Sequence, residues 1–187
     1  MESTDDVLLD AEEKMTKSLS FLQEQFAGIR TGKASPALVE NIKVNYYGAP
    51  TRLRELANIS TPEPRLIVIN AYDPTALAEI TKAILAANIG VTPMNDGRVI
   101  RIPIPELNEE RRVELTKVAN RMAEETRVSI RNVRREANDQ IKKLQKDGKV
   151  AEDARDEGLK QVQKDTDGYI RKVDDALKAK EREMMVV

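Results

Sequence analysis

The sequence predicts an α+β protein, an elongated three-helix bundle with a small β-rich domain inserted after its first helix. Three observations carry that reading. Residues 7–29 and two stretches beyond residue 105 set apolar side chains every three or four positions, whereas residues 31–104 alternate them at every second position in short runs. Glycine and proline stand where one pattern gives way to the other.

In the first helix Leu8, Ala11, Met15, Leu19, Leu22, Phe26 and Ile29 form one apolar stripe. Thr4 or Asp5 is placed to cap it, and Asp5, Asp6 and Asp10 suit its positive end. Gly32 and Pro36 end the pattern. Ile42, Val44 and Tyr46 then alternate before a turn at 48–50, Leu66 to Ile69 form a short apolar run, and Ile100, Ile102 and Ile104 alternate after Asp96-Gly97. Between them residues 75–87 read as a helix with Leu77, Ile80, Ile84 and Leu85 for packing, opened by Asp73 before Pro74. Tyr46 and Tyr47 cannot share one side of a strand, so one packs and the other meets solvent or a partner.

Beyond Pro103 and Pro105 the helical period returns. One stripe uses Leu115, Val118, Met122, Ile130, Val133, Ala137, Ile141 and Leu144; after Asp147-Gly148 a second uses Leu159, Val162, Thr166, Tyr169, Val173, Leu177 and Met184. None of the three long helices buries its stripe alone, so residues 1–30 and 105–187 are expected to form one bundle, with 31–104 as the insert. Phe26 and Val133 are expected in its core, with Leu19 and Ile141 beside them. The two chain crossings, at Arg30, Thr31 and Gly32 and at Ile104 and Pro105, are the expected hinge.

Composition narrows the function. The chain has no Cys, no His and no Trp, and 34% of its residues are charged. Thiol chemistry, cysteine-containing metal sites and the usual near-neutral general base are therefore missing. No nucleophile and base stand together, and the carboxylates are too numerous to single out a pair, so a hydrolase is disfavoured and no catalytic residue, metal or cofactor is expected. The acidic start lacks the basic region and apolar run of a secretory signal, and no apolar window approaches a membrane span. A soluble, cytoplasmic protein without a membrane partner, monomeric in solution, is the expectation.

The formal net charge is −1, but the charge is uneven. Residues 1–30 hold seven acids and three bases; residues 127–143 hold two acids and six bases. At about 100° per residue Ile130, Val133, Ala137, Ile141 and Leu144 cluster in one direction, and Arg127, Arg131, Arg134, Arg135, Asn138 and Lys142 point roughly a quarter turn away. Glu136 and Asp139 fall elsewhere. A face that serves solubility alone usually mixes signs, so this stripe suits phosphate or another acidic surface. Gly28-Ile29-Arg30-Thr31-Gly32-Lys33 lacks the glycine spacing and preceding strand of a nucleotide phosphate loop.

Several segments together resemble the ribosome recycling factor family over essentially the full length. They are Ile29-Arg30-Thr31-Gly32-Lys33-Ala34-Ser35-Pro36, Tyr46-Tyr47-Gly48-Ala49-Pro50, Leu107-Asn108-Glu109-Glu110-Arg111-Arg112 and, most specific, the run from Val128 to Asn138. The resemblance implies an L-shaped two-domain molecule whose long arm is the bundle and whose short arm is a β/α/β domain on two linkers. It also implies binding to the large ribosomal subunit through rRNA, and splitting of the post-termination ribosome with elongation factor G and the GTP bound to that partner. The family's rRNA contact falls on Arg131 to Arg135, with Arg134 central. The competing reading is a helical structural adaptor, or an RNA-binding protein without recycling activity.

Overall fold

The computed structural model describes residues 1–29 and 31–185. Three long helices dominate: α1 (Thr4–Ala27), α4 (Glu109–Lys146) and α5 (Glu152–Met185). Between α1 and α4 come β1 (Lys43–Tyr46), β2 (Ala49–Arg52), the short α2 (Leu53–Leu56), β3 (Ala57–Glu63), β4 (Leu66–Ala71), α3 (Leu77–Ala87), β5 (Met94–Asn95) and β6 (Ile100–Pro103). The chain is α+β, with a helical bundle and a separate sheet-bearing unit.

Two compact units divide it. One comprises Met1–Gln25 and Lys117–Arg182; the other comprises Phe26–Thr116 and a segment beginning at Glu183. These boundaries fall inside the long helices, whereas the change of sequence pattern that marks 30/31 and 104/105 falls in the connections. Residues 105–116 thus group with the strands by proximity, although most of them are helical.

In the bundle unit α1 begins one residue after its cap. Ser3, ahead of the anticipated Thr4 or Asp5, accepts from the Asp6 amide at 3.2 Å through Oγ, while Asp6 Oδ2 accepts from the amides of Glu2 and Ser3 at 2.9 and 3.2 Å. This reciprocal box satisfies donors that the first turn leaves open, and those backbone bonds hold the Asp6 carboxyl below its ordinary range. Val7, Ala11, Ala137, Ile141, Leu144 and Val162 form a buried cluster drawn from all three helices, with Leu8, Val133, Val150 and Leu159 packed around it. Val7 takes the central position, and Leu8 sits at the edge, because the stripe turns slightly relative to the sequence reading. Val133 is likewise half-buried at that edge, and Leu19 and Ile141 are buried. Gly158 of α5 faces side chains of both other helices. A Cβ there would stand 3.2 Å from Ile141 Cδ1 and 3.3 Å from Thr4 Cγ2.

Polar contacts fix the helices in register. Thr16 and Tyr169 hydroxyls are 2.7 Å apart, Ser18 and Ser129 hydroxyls 3.1 Å apart, and Lys14 Nζ reaches Glu136 at 3.1 Å. Alpha4 starts at a cap made by Asn108, whose Oδ1 accepts from the Arg111 amide at 2.7 Å.

The second unit pairs β1 with β2 in a two-stranded ribbon and orders the remaining strands β3-β4-β6-β5, all antiparallel. Ile69 pairs with Ile100 and Ile67 with Ile102, so four fully buried isoleucines form one face, and Leu77, Ile80 and Ile84 of α3 join the same core. Leu85 is exposed, being one residue past that stripe. Phe26 and Ile29 are buried within this unit's span. At the tip of the β1–β2 ribbon Tyr47 (φ 49°) and Gly48 (φ 81°) both occupy left-handed backbone, the requirement of a tight two-residue hairpin. Tyr46 is half-buried and donates its hydroxyl to Asp73 Oδ2 at 2.8 Å, whereas Tyr47 is 83% exposed.

The turn before β6 depends on one carboxylate. Asp96 accepts from the amides of Arg98 and Val99, both at 2.9 Å, and pairs with Arg101; the backbone bonds foremost lower its pKa to about 2. A depressed folded pKa gives stability that is present above the unfolded value near 4 and is lost as pH falls toward 2. Asp96→Asn is therefore expected to be less stable than the parent at neutral pH, and thermal melts of the two are expected to converge between about pH 4 and pH 2.

Candidate nucleic-acid interface

The rotation of α4 decides what its charged residues face. Ile130, Ala137 and Ile141 are buried, which turns the side about a quarter revolution away toward solvent beside α5. All six residues of the predicted stripe lie on this one helix within the bundle unit, but their surroundings differ.

Arg127 is used inside the protein. Its Nε and Nη2 both donate to Asp174 Oδ1 of α5, at 2.9 and 2.6 Å, and its Nη1 donates to Glu124 Oε2 at 3.0 Å. Only 18% of its side chain is exposed. Burial works against the charged form, and the bonds to Asp174 and Glu124 more than offset it, so the guanidinium's pKa is raised. Arg131 is 40% exposed and donates through Nη1 to Glu124 Oε1 at 3.3 Å. The same two arginines, Arg127 first, hold the Glu124 carboxyl below its ordinary range.

The remaining four form no ion pair among the described residues. Arg134 reaches the neutral Gln163 Oε1 of α5, at 3.4 Å, and Arg135 the Asn132 Oδ1 at 3.3 Å. Lys142 is exposed and forms no ion pair among the described residues. Arg134 Nε and Asn138 Oδ1, one turn apart, are buried without a protein hydrogen-bond partner. The outward part of the stripe is thus Arg131, Arg134, Arg135 and Lys142, with Asn138 between them. Guanidinium forks at this spacing present paired donors to phosphate oxygens without reading a base.

Sequence reading missed Glu124. It precedes Lys142 by eighteen positions, about five whole turns, so its direction was available to a window opened one turn earlier. The Asp174 partner of Arg127 carried no such signal, because it depends on how α5 is set against α4.

Of the described hinge residues, Thr31, Gly32 and Ile104 lie about the turn at Pro64 and Arg65. Ala34 donates its amide to the Pro64 carbonyl, and Ile104 its amide to the Arg65 carbonyl, both at 2.7 Å, while Arg65 pairs with Glu106. Thr31 and Gly32 line a pocket with Lys33, Pro64, Arg65, Glu106, Leu107 and Arg112. Gly32 has φ 84°, backbone that a side chain rarely adopts. Ile104 is buried and Pro105 exposed; Arg30 lies outside the described residues. Among the described residues no cluster of carboxylates has the arrangement of a metal site, and no helix is long and apolar enough to cross a membrane.

The unequal surroundings give a direct expectation. Arg127→Ala is expected to lower stability by about 1–2 kcal/mol, because it leaves Asp174 without its charged donors. Arg135→Ala is expected to leave the denaturation midpoint within about 0.5 kcal/mol of the parent, as for most exposed sites. Urea denaturation of the two variants checks both.

Residues 22–185 match the family model described as Ribosome recycling factor. The chain is 50% identical over 180 residues to the ribosome-recycling factor of Natranaerobius thermophilus, covering 96% of this chain and 98% of that one. It is 49% identical over 182 residues to that of Bacillus subtilis, covering 97% and 98%. A solution structure of the ribosome recycling factor is similar at a TM-score of 0.78 with 41% identity, covering 98% of both chains. A further similar structure, at a TM-score of 0.66 and 41% identity over 98% of this chain and all of that one, is described as models for the T. thermophilus ribosome recycling factor and the E. coli elongation factor G bound to the E. coli post-termination complex.

Proposed function

Because the chain belongs to the ribosome recycling factor family, we propose that it binds the large ribosomal subunit through the α4 stripe. With elongation factor G and the GTP bound to that partner, it then splits the post-termination ribosome and releases it from mRNA. Membership carries a general role in ribosome recycling and no enzymatic activity of the chain's own. The proposal adds the surface, the partners and the outcome. It acts in the cytoplasm, where the ribosomes are, as a monomer.

One observation carries the choice of surface: Arg134, Arg135 and Lys142 stand together on α4 with no acidic partner among the described residues. Ion pairs between helices account for Arg127 and leave these three unexplained by the fold. Their attraction to rRNA phosphate is electrostatic, so binding weakens as salt rises and bound counterions lose their advantage. The similar structure described with elongation factor G and a post-termination complex supports the choice of partners.

Purified post-termination ribosomes test this directly. Splitting is expected only when this protein, elongation factor G and GTP are all present; intact ribosomes under those conditions would reject the proposed function. Arg134→Ala is expected to retain the helicity of the free protein, to bind large subunits several-fold more weakly and to lessen the log–log salt slope by about one. Affinity equal to the parent at every salt concentration would remove Arg134 from the interface.

The proposal extends to the connections. Residues 31–104 act as a domain that reorients on the hinge at Arg30, Thr31, Gly32, Ile104 and Pro105, converting a push by the partner into disruption of contacts between subunits. Gly32 in left-handed backbone supports a special joint there. An engineered cysteine pair, one within residues 31–104 and one on the bundle helices, is expected to permit ribosome binding but to block splitting until reduced, and the native chain contributes no competing thiol. Equal splitting rates for oxidised and reduced protein would show that no such movement is needed.

A further inference from the structure

The basic stripe contains a carboxylate. Glu124 projects in the direction of Lys142, about five turns earlier on α4, and its two oxygens bridge two guanidinium groups: Oε2 with Arg127 and Oε1 with Arg131. The two contacts are not equivalent. Arg127 already has Asp174 as a partner and is mostly covered, whereas Arg131 is 40% exposed and has Glu124 as its one acidic partner among the described residues. A carboxylate and a phosphate offer the same pair of acceptor oxygens to a guanidinium fork. Glu124 therefore engages one donor of Arg131, Nη1, that a phosphate would otherwise share, and it repels any phosphate brought to that end of the stripe.

We propose that Glu124 is a selectivity residue: it weakens the stripe for RNA in general and favours a surface whose phosphates meet Arg134, Arg135 and Lys142 while sparing the Glu124 end. A stripe of unopposed cations would hold any polyanion, and a cell offers RNA in great excess over one binding surface. Discrimination comes from penalising the wrong partner as well as attracting the right one. An acid fixed between two arginines supplies that penalty at the Arg131 end and leaves Arg134, Arg135 and Lys142 unpaired with it. The inference rests on the reading of the stripe as the RNA-facing surface.

The test uses the intact protein with two probes, a short RNA duplex of arbitrary sequence and purified large ribosomal subunits. Glu124→Gln keeps the length and an acceptor oxygen and removes the charge. At low salt it is expected to bind the duplex roughly three- to tenfold more tightly, the effect of one charge at a few ångströms in a high dielectric. The gain on large subunits is expected to be distinctly smaller. Glu125→Gln removes the same charge from α4 about 100° further round, among residues of the α1–α4 groove, and is expected to give little of the gain. Duplex binding by Glu124→Gln that is unchanged or weaker, a gain equal on both probes, or an equal gain from Glu125→Gln would each overturn the proposal. Arg135→Ala combined with Lys142→Ala is measured on large subunits alongside. If that pair binds as the parent does, the RNA-facing reading itself falls; if it weakens binding while Glu124→Gln behaves as the parent, only the role of Glu124 falls.

Discussion

The seam of small and branched aliphatic side chains on α4 is the constraint on which the bundle depends. Ile130, Ala137 and Ile141 must be buried together, and no rotation of α4 other than the observed one does this. That rotation brings Ser129 against Ser18 of α1 and Arg127 against Asp174 of α5. The direction of the basic stripe is thus a by-product of apolar packing, since hydrophobic burial outweighs any preference of surface charges near a high dielectric. The helix has 38 residues, a length of about 57 Å.

The chain has no histidine whose ionisation could trim the field of such a surface near neutral pH. Glu124 does not supply a switch either, because its two arginine partners keep it ionised at still lower pH than a free carboxylate. Ionic strength and competing polyanions remain as the variables that act on the stripe.

Much of this was legible in the residues. Helix period, the Asp73-Pro74 start, and the alternation of Ile100, Ile102 and Ile104 each mark an element that is present, because burial of one face leaves a period in the chain. Beta3 was not read: among its seven residues only Ile59 is a large apolar side chain, and Pro62 argues against a central strand. It is in fact the edge of the sheet, where one strand side needs no partner and proline is tolerated. Beta2 escaped for a similar reason, since Ala49-Pro50-Thr51-Arg52 has no buried residue to set a period. The stripe on α4 was visible as a direction, but the division within it was not. Whether an arginine serves an acid on another helix depends on distances between segments, as Arg127 and Asp174 show across 47 positions.

The discontinuity of the bundle bears on how the chain is made. Thr16 meets Tyr169 across 153 positions, and Lys14 meets Glu136 across 122. The core that runs from Leu38 to Ile104 is, by contrast, continuous in the chain and can close as soon as its last strand has emerged. At about 5–20 residues per second of synthesis, α1 waits several seconds or more after that for the helices that cover it. During this interval Val7, Met15 and Leu22 stand uncovered on a helix whose stability comes mostly from the packing it still lacks. The seven acids against three bases in residues 1–30 give that uncovered helix a net negative charge, and the repulsion between like charges opposes association of two such stripes.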